Sequence, residues 1–298
     1  MTKQLKADLA LLGVTFIWGS TYVLTKNSLN HLETFNFLAI RFLISALLSG
    51  IIFYKNILNI KKDTLKYGVL IGIVLFMGYT LQTLGLHYTT PSKSGFITGF
   101  SVVLVPILSA YFLKEQPQKA AAVGAILALI GLAFLTLDSN LTLNKGDFFT
   151  FLGSFMFALH IITVGKYTVE VDSIGLGIVQ IAVVGLLSLV LTFGIENPTI
   201  PTSMDVWLPI AFLTVLCTSA AFTIQNIAQR YTSPTHTALI YTGEPVFSAI
   251  FSYFVEGEIL TRAGLFGSFL ILLGMVMAEL NLDTMLAKKE KLQSDELP

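Results

Sequence analysis

The stretch Thr80-Leu-Gln-Thr-Leu-Gly-Leu-His-Tyr-Thr-Thr-Pro91 recurs as Thr223-Ile-Gln-Asn-Ile-Ala-Gln-Arg-Tyr-Thr-Ser-Pro234, at an offset of 143. Five of the 12 positions are identical, and most of the others are conservative. The same offset pairs Glu115 with Glu258, Gly124 with Gly267 and Gly131 with Gly274. Nearer the start, an offset of 140 pairs Gly13 with Gly153 and Lys26 with Lys166. Apolar segments resemble one another easily, because their alphabet is small. Identical Gln, Tyr, Pro, Glu and Gly in one register point to an internal repeat instead.

What is repeated follows from composition. The 298 residues are 54% hydrophobic and 12% charged, with a mean hydropathy of +0.76. Soluble chains carry about 25% charged residues, so this chain lacks the charge to cover a water-facing surface. An ordinary cytosolic enzyme, a nucleic-acid binder and a disordered chain are excluded, and the lipid bilayer is the expected solvent. The net charge is zero, from 18 basic and 18 acidic residues, so no bulk electrostatic partner is implied. The lone cysteine, Cys217, excludes an internal disulfide and reads as a small buried hydrophobe.

Ten apolar windows approach the roughly 20 residues a span needs. They are 9–25, 34–54, 67–86, 94–113, 120–137, 148–164, 174–195, 207–229, 235–255 and 263–280. The first begins after Lys3 and Lys6 but lacks a small-residue cleavage site, so it reads as a retained helix and not a signal peptide. With the N-terminus inside, 13 Lys and Arg fall on the inner side and 5 on the outer. Both termini are therefore expected in the cytoplasm.

The expected fold is all-α and integral to the membrane: ten transmembrane helices as two five-helix repeats. Residues 1–138 form the first, 139–147 a linker, 148–281 the second, and 282–298 a polar tail. Five is odd, so the second copy inserts upside down relative to the first. Inverted repeats place a pseudo-two-fold axis in the membrane plane, the architecture of alternating-access carriers with a midplane site.

Polar residues inside apolar helices mark where that site lies. Window 9 carries Thr237, Tyr241, Glu244 and Ser248 at spacings of 4, 3 and 4, along one helical face. The matching face of window 4 is Ser94, Thr98, Ser101 and Val105. Window 3 has Tyr79, Gln82 and Thr83, and window 8 has Phe222, Gln225 and Asn226 at equivalent positions. Thr15, Trp18 and Tyr22 line window 1, and His160 and Thr163 lie in window 6. Trp18, Tyr79, Gln82, Thr83, Ser101, His160, Gln225, Asn226 and Tyr241 are the expected substrate-binding residues of one central cavity. The plainer alternative is interhelical hydrogen bonding, at about 0.6 kcal/mol each.

Glu244 lies near mid-bilayer, where a charge costs roughly 2.5–3.5 kcal/mol. Either it couples protons or pairs a cationic group, or it bonds nearby backbone and hydroxyls beside Pro245, where the helix ladder is broken. The sequence holds no GxSxG, HExxH or GxxxxGK[ST] signature. No enzymatic activity, metal or cofactor is implied, and active transport would run on gradients or exchange.

Trp18-Gly19-Ser20, Arg41-Phe42, Glu244-Pro245-Val246-Phe247, Gly257-Glu258, Gly267 and Gly274 together resemble the EamA family of the drug/metabolite transporter superfamily, over about residues 8–281. The resemblance implies two inverted five-helix repeats around a central cavity, with helices 5 and 10 peripheral, in the cell inner membrane. It implies transport, often outward, of amino acids, purines or other metabolites. It also implies a common gating or structural role for Glu244-Pro245. Lys114-Glu115 stands where the second copy has Gly257-Glu258. The expected function is secondary active transport of a small organic metabolite, such as an amino acid, with protons as candidate coupling ion. A passive channel and a non-transporting receptor or scaffold are the alternatives.

Overall fold

The computed structural model describes residues 2–112, 119–137 and 144–279, and these are helical nearly throughout. Lys114-Glu115, the 139–143 part of the expected linker and the 282–298 tail lie outside the described residues. Eight helices are long and apolar enough to cross a membrane: α1 Lys3–Ser28, α2 Thr34–Ile52, α3 Lys62–Leu86, α4 Pro91–Phe112, α6 Lys145–Tyr167, α7 Ser173–Ile195, α8 Met204–Ala228 and α9 Pro234–Glu256. Two shorter apolar helices complete the set, α5 Lys119–Thr136 and α10 Arg262–Glu279. Helices suit such sequences because lipid offers backbone N–H and C=O groups no partners.

The helices outrun the apolar windows where their ends are polar. α3 starts at Lys62, five residues before its window, and α6 takes in residues 145–147 of the expected linker. Hydropathy reports the lipid-facing length, whereas caps set the helix ends. Asn144, Asp172 and Ser233 side chains accept from the backbone N–H of Gly146, Gly175 and His236. α2 is capped from elsewhere: Glu196 accepts from Phe35 N and Asn36 N at 2.9 and 2.8 Å. Its negative charge also suits the positive end of the α2 dipole.

Packing runs mainly between the two stretches of sequence rather than within either. α2 lies on α7, α4 on α9 and α5 on α10. α3 lies on α6 and α7, as α8 lies on α1 and α2; α4 lies on α6, as α9 lies on α1. Adding or subtracting five turns each of these pairs into itself or into another. At the α5–α10 contact a Cβ on Gly131 would meet the Gly267 carbonyl oxygen at 2.6 Å, and one on Gly267 would meet the Gly131 oxygen at 2.5 Å. The two backbones therefore touch, as small residues allow in lipid.

Regularity is unequally shared. α3, α4 and α6 run without a break. α1 breaks at Ser20, α9 breaks at Thr242–Gly243, and α8 contains a π-helical stretch, Leu213–Ala220. Interrupted helices and π-turns both gather at functional sites.

Candidate functional site

The unbroken and the broken helices meet around one central cavity of about 50 Å³. Trp18, Tyr79, Gln82, Ser101, His160, Gln225, Tyr241 and Glu244 all line it. Two expected members do not. Thr83 is one residue, and so about 100° of helix, away from Gln82, which turns it into the packed flank. Asn226 donates to its own helix at Phe222 O, 2.7 Å, and lies against Gly177 of α7.

Phe157, Phe222, Thr21 and Thr98 also line the cavity. Thr98 and Phe222 stand on the polar stripes already read from the sequence. Thr21 and Phe157 were legible by the same rule, being three residues from Trp18 and His160 on their helices.

Aromatic rings form much of the wall. The Trp18 ring lies 5.3 Å from Tyr241 and 5.4 Å from Phe222; Tyr79 lies 6.2 Å from Phe222 and 5.5 Å from Phe157. Trp18 is held in place by its indole N–H, which donates to Cys217 O in the π-helical stretch at 2.9 Å. His160 stands against Phe222, and its Nε2–H donates to Gln180 of α7 at 2.8 Å.

The repeated glutamines differ in their bonding. Gln82 donates to Thr98 Oγ1 at 3.1 Å. Gln225 is fully buried, and neither its carboxamide nitrogen nor its oxygen has a partner; the Tyr241 hydroxyl is also unpartnered. Buried polar groups are almost always paired, and both of these residues line the cavity.

Glu244 opens the second segment of α9, just after the break. It faces the cavity, and the Tyr22 hydroxyl donates to its Oε1 at 2.6 Å. Ser248, on the same stripe, instead donates to Pro91 O and packs on Gly95, so it joins α9 to α4. Arg41 is buried outside the cavity wall, with Nε on Thr218 Oγ1 at 2.8 Å and its guanidinium 5.2 Å from the rings of Phe42 and Tyr79. Among the described residues, no group of three His, Cys, Asp or Glu side chains is placed to hold a metal ion.

Contacts join the helices toward both ends of the bundle. At one end Lys26 donates to the carbonyls of Leu86, His87 and Thr89, capping α3. There Thr89 donates to Asp147, and the backbones of Gly85 and Gly146 are in contact. At the other end His236 meets Asp8 at 3.2 Å, Gln229 donates to Ile161 O at 3.1 Å, and the Pro234 ring packs on Gly165. Lys166, the repeat counterpart of Lys26, is exposed there, with its ammonium 5.3 Å from the Tyr167 ring centroid.

Comparison with known proteins places this architecture. The profile of the EamA-like transporter family matches residues 5–137 and again 144–280. An uncharacterized transporter of Archaeoglobus fulgidus is 36% identical over 279 residues, covering 93% of this chain and 87% of the relative. The Bacillus subtilis uncharacterized transporter YyaM is 25% identical, covering 93% and 94%. An S-adenosylmethionine uptake transporter of Rickettsia prowazekii is 25% identical, covering 84% of each chain. A solved crystal structure shares the fold, with a TM-score of 0.71 at 18% identity, covering 95% of this chain and 98% of the other.

Proposed function

The chain belongs to the EamA-like transporter family and is a multi-pass membrane protein, and from that premise we propose that it is a secondary active transporter of a small organic metabolite, working by alternating access. Ten spans cross the membrane as two inverted repeats, residues 1–138 and 148–281, with both termini in the cytoplasm. The cavity where helices of both repeats converge, with Gln225 and Tyr241 unpartnered in its wall, is the observation that carries this reading.

Because the helices pair across the repeats, the moving bodies are not the repeats themselves. The broken helices α1, α8 and α9 rock against the unbroken α3, α4 and α6. In this orientation the end with Lys26 faces outward and the end with Asp8 and His236 faces inward. Carboxamides, rings and one carboxylate suit a small polar organic solute. The S-adenosylmethionine transport named for the rickettsial relative widens the class to larger polar metabolites.

Gln82 and Gln225 orient the solute, so Gln82→Ala and Gln225→Ala should each weaken exchange in proteoliposomes while leaving the protein folded. Unchanged transport in both variants would remove the assignment. Glu244 is the coupling or gating acid; if Glu244→Gln keeps full transport driven by a pH gradient, proton coupling through it is excluded.

A further inference from the structure

The chemistry of the cavity wall narrows its guest. We infer that the cavity takes an organic cation with a carbon-bearing onium head, with Glu244 as its counter-charge; this rests on the cavity being the transport site.

Charge is the first argument. Among the described residues, Glu244 is the one ionisable carboxyl group lining the cavity, and no lysine or arginine lines it. Arg41 stands outside the lining, with Nε bonded to Thr218, its guanidinium 5.2 Å from the rings of Phe42 and Tyr79, and its Nη2 without a partner. An anion entering this space would meet a carboxylate and the negative faces of aromatic rings. A zwitterion would leave its own carboxylate without a cation, in a site whose remaining donors are amides and hydroxyls. Such an unpaired buried charge is heavily penalised.

The rings are the second argument. Trp18, Tyr79, Phe157, Phe222 and Tyr241 form a chain of neighbours with centroids 5.3–6.2 Å apart. Aromatic faces attract cations, and most strongly where water is excluded, which is how quaternary ammonium groups are recognised elsewhere. A primary ammonium needs several hydrogen-bond acceptors to replace its hydration, whereas a methylated onium group sheds weakly held water and is covered well by rings.

Placement of the polar atoms is the third. Tyr22 donates to one oxygen of Glu244, Oε1, which fixes the carboxylate while its other oxygen, Oε2, serves the guest. The unpartnered Gln225 carboxamide and Tyr241 hydroxyl stand ready for a second, neutral polar group on the same molecule.

Trp18 reports on the site directly, because the chain has two tryptophans and Trp207 is not in the cavity. The experiment follows Trp18 fluorescence in purified full-length Trp207→Phe protein, titrated with choline, with its uncharged carbon isostere neohexanol, and with the tert-butylacetate anion. Choline should give a saturable change, neohexanol should bind at least about ten-fold more weakly, and tert-butylacetate should give none. Glu244→Gln and Tyr241→Leu should each weaken choline about ten-fold or more, with Tyr241→Phe within about threefold of the parent. Should Glu244→Gln fail to fold, the Leu and Phe pair at Tyr241 still decides. Neohexanol or tert-butylacetate binding as tightly as choline, or folded protein giving no saturable response to choline, overturns the proposal.

Counterflow in proteoliposomes separates this proposal from the transport reading. Saturable choline binding without counterflow of any solute supports the onium site and sinks transport. Counterflow of neutral or anionic solutes that choline leaves untouched overturns the onium site and leaves transport standing.

Discussion

Gly146→Ala tests the contact between α3 and α6 at the end proposed to face outward. A Cβ on Gly146 would lie 2.4 Å from the Gly85 carbonyl oxygen and 2.9 Å from both Thr89 N and Tyr88 C. All three are backbone atoms, so no side chain can swing aside. Reaching an ordinary contact of 3.4 Å requires α3 and α6 to part by about 1 Å there. Overpacking of this kind costs about 1–3 kcal/mol. If the outward-open state lacks the contact, that cost falls on the closed state alone, and the closed population drops relative to the open by about 5- to 150-fold. The assay is labelling of a single cysteine, Ser101→Cys in a Cys217→Ala background, by a membrane-impermeant thiol reagent applied to either face. Ser101 lines the cavity, so its labelling from outside should rise at least about fivefold. Gly13→Ala is the control: nothing lies within 4 Å of that Cβ, and the change should be neutral or stabilise by up to about 1 kcal/mol. A Gly146→Ala protein with parental Tm and parental labelling from both faces would refute the reasoning.

The other predictions concern the same end. Lys26→Met removes the cap on the α3 carbonyls and should lower stability by about 1 kcal/mol, whereas Lys166→Met, at an exposed position, should stay within about 0.5 kcal/mol; thermal unfolding of both variants checks the asymmetry. His87 bonds Thr34 Oγ1 at 2.9 Å, and burial, helped by the Lys26 charge, holds its imidazole below the ordinary value of 6.5. The unfolded chain therefore binds this proton more readily than the folded one, so the contribution is full above about pH 6.5 and is lost as pH falls. Tm should decline on acidification below that pH, and His87→Gln should flatten part of the decline.

The helices and their repeat were legible in the sequence because both depend on local properties. Apolar length reports the lipid each helix must match, and the offset linking Gln82 to Gln225 and Gly131 to Gly274 is a property of residue order. Helical azimuth was equally accessible, which is why the stripes through Trp18, Tyr79, Tyr241 and Glu244 point to one space. The stripes were too generous where azimuth alone cannot choose between neighbours. Asn226, beside Gln225, turned back to its own backbone, and Ser248, one turn beyond Glu244, became a link to α4.

Residue order by itself settled that this chain is a bundle of apolar helices with amides, rings and acids set among them. Only the tertiary structure decided that Gln82 is bonded while its twin Gln225 is bare, that Glu196 caps a helix some 160 residues away, and that Lys26 is engaged while Lys166 is not. The physical reason is that a helix presents all its faces equally until neighbours are laid against it. The rotation and tilt that choose among those faces come from packing summed over both halves, and identical motifs in two unlike surroundings then take unlike partners.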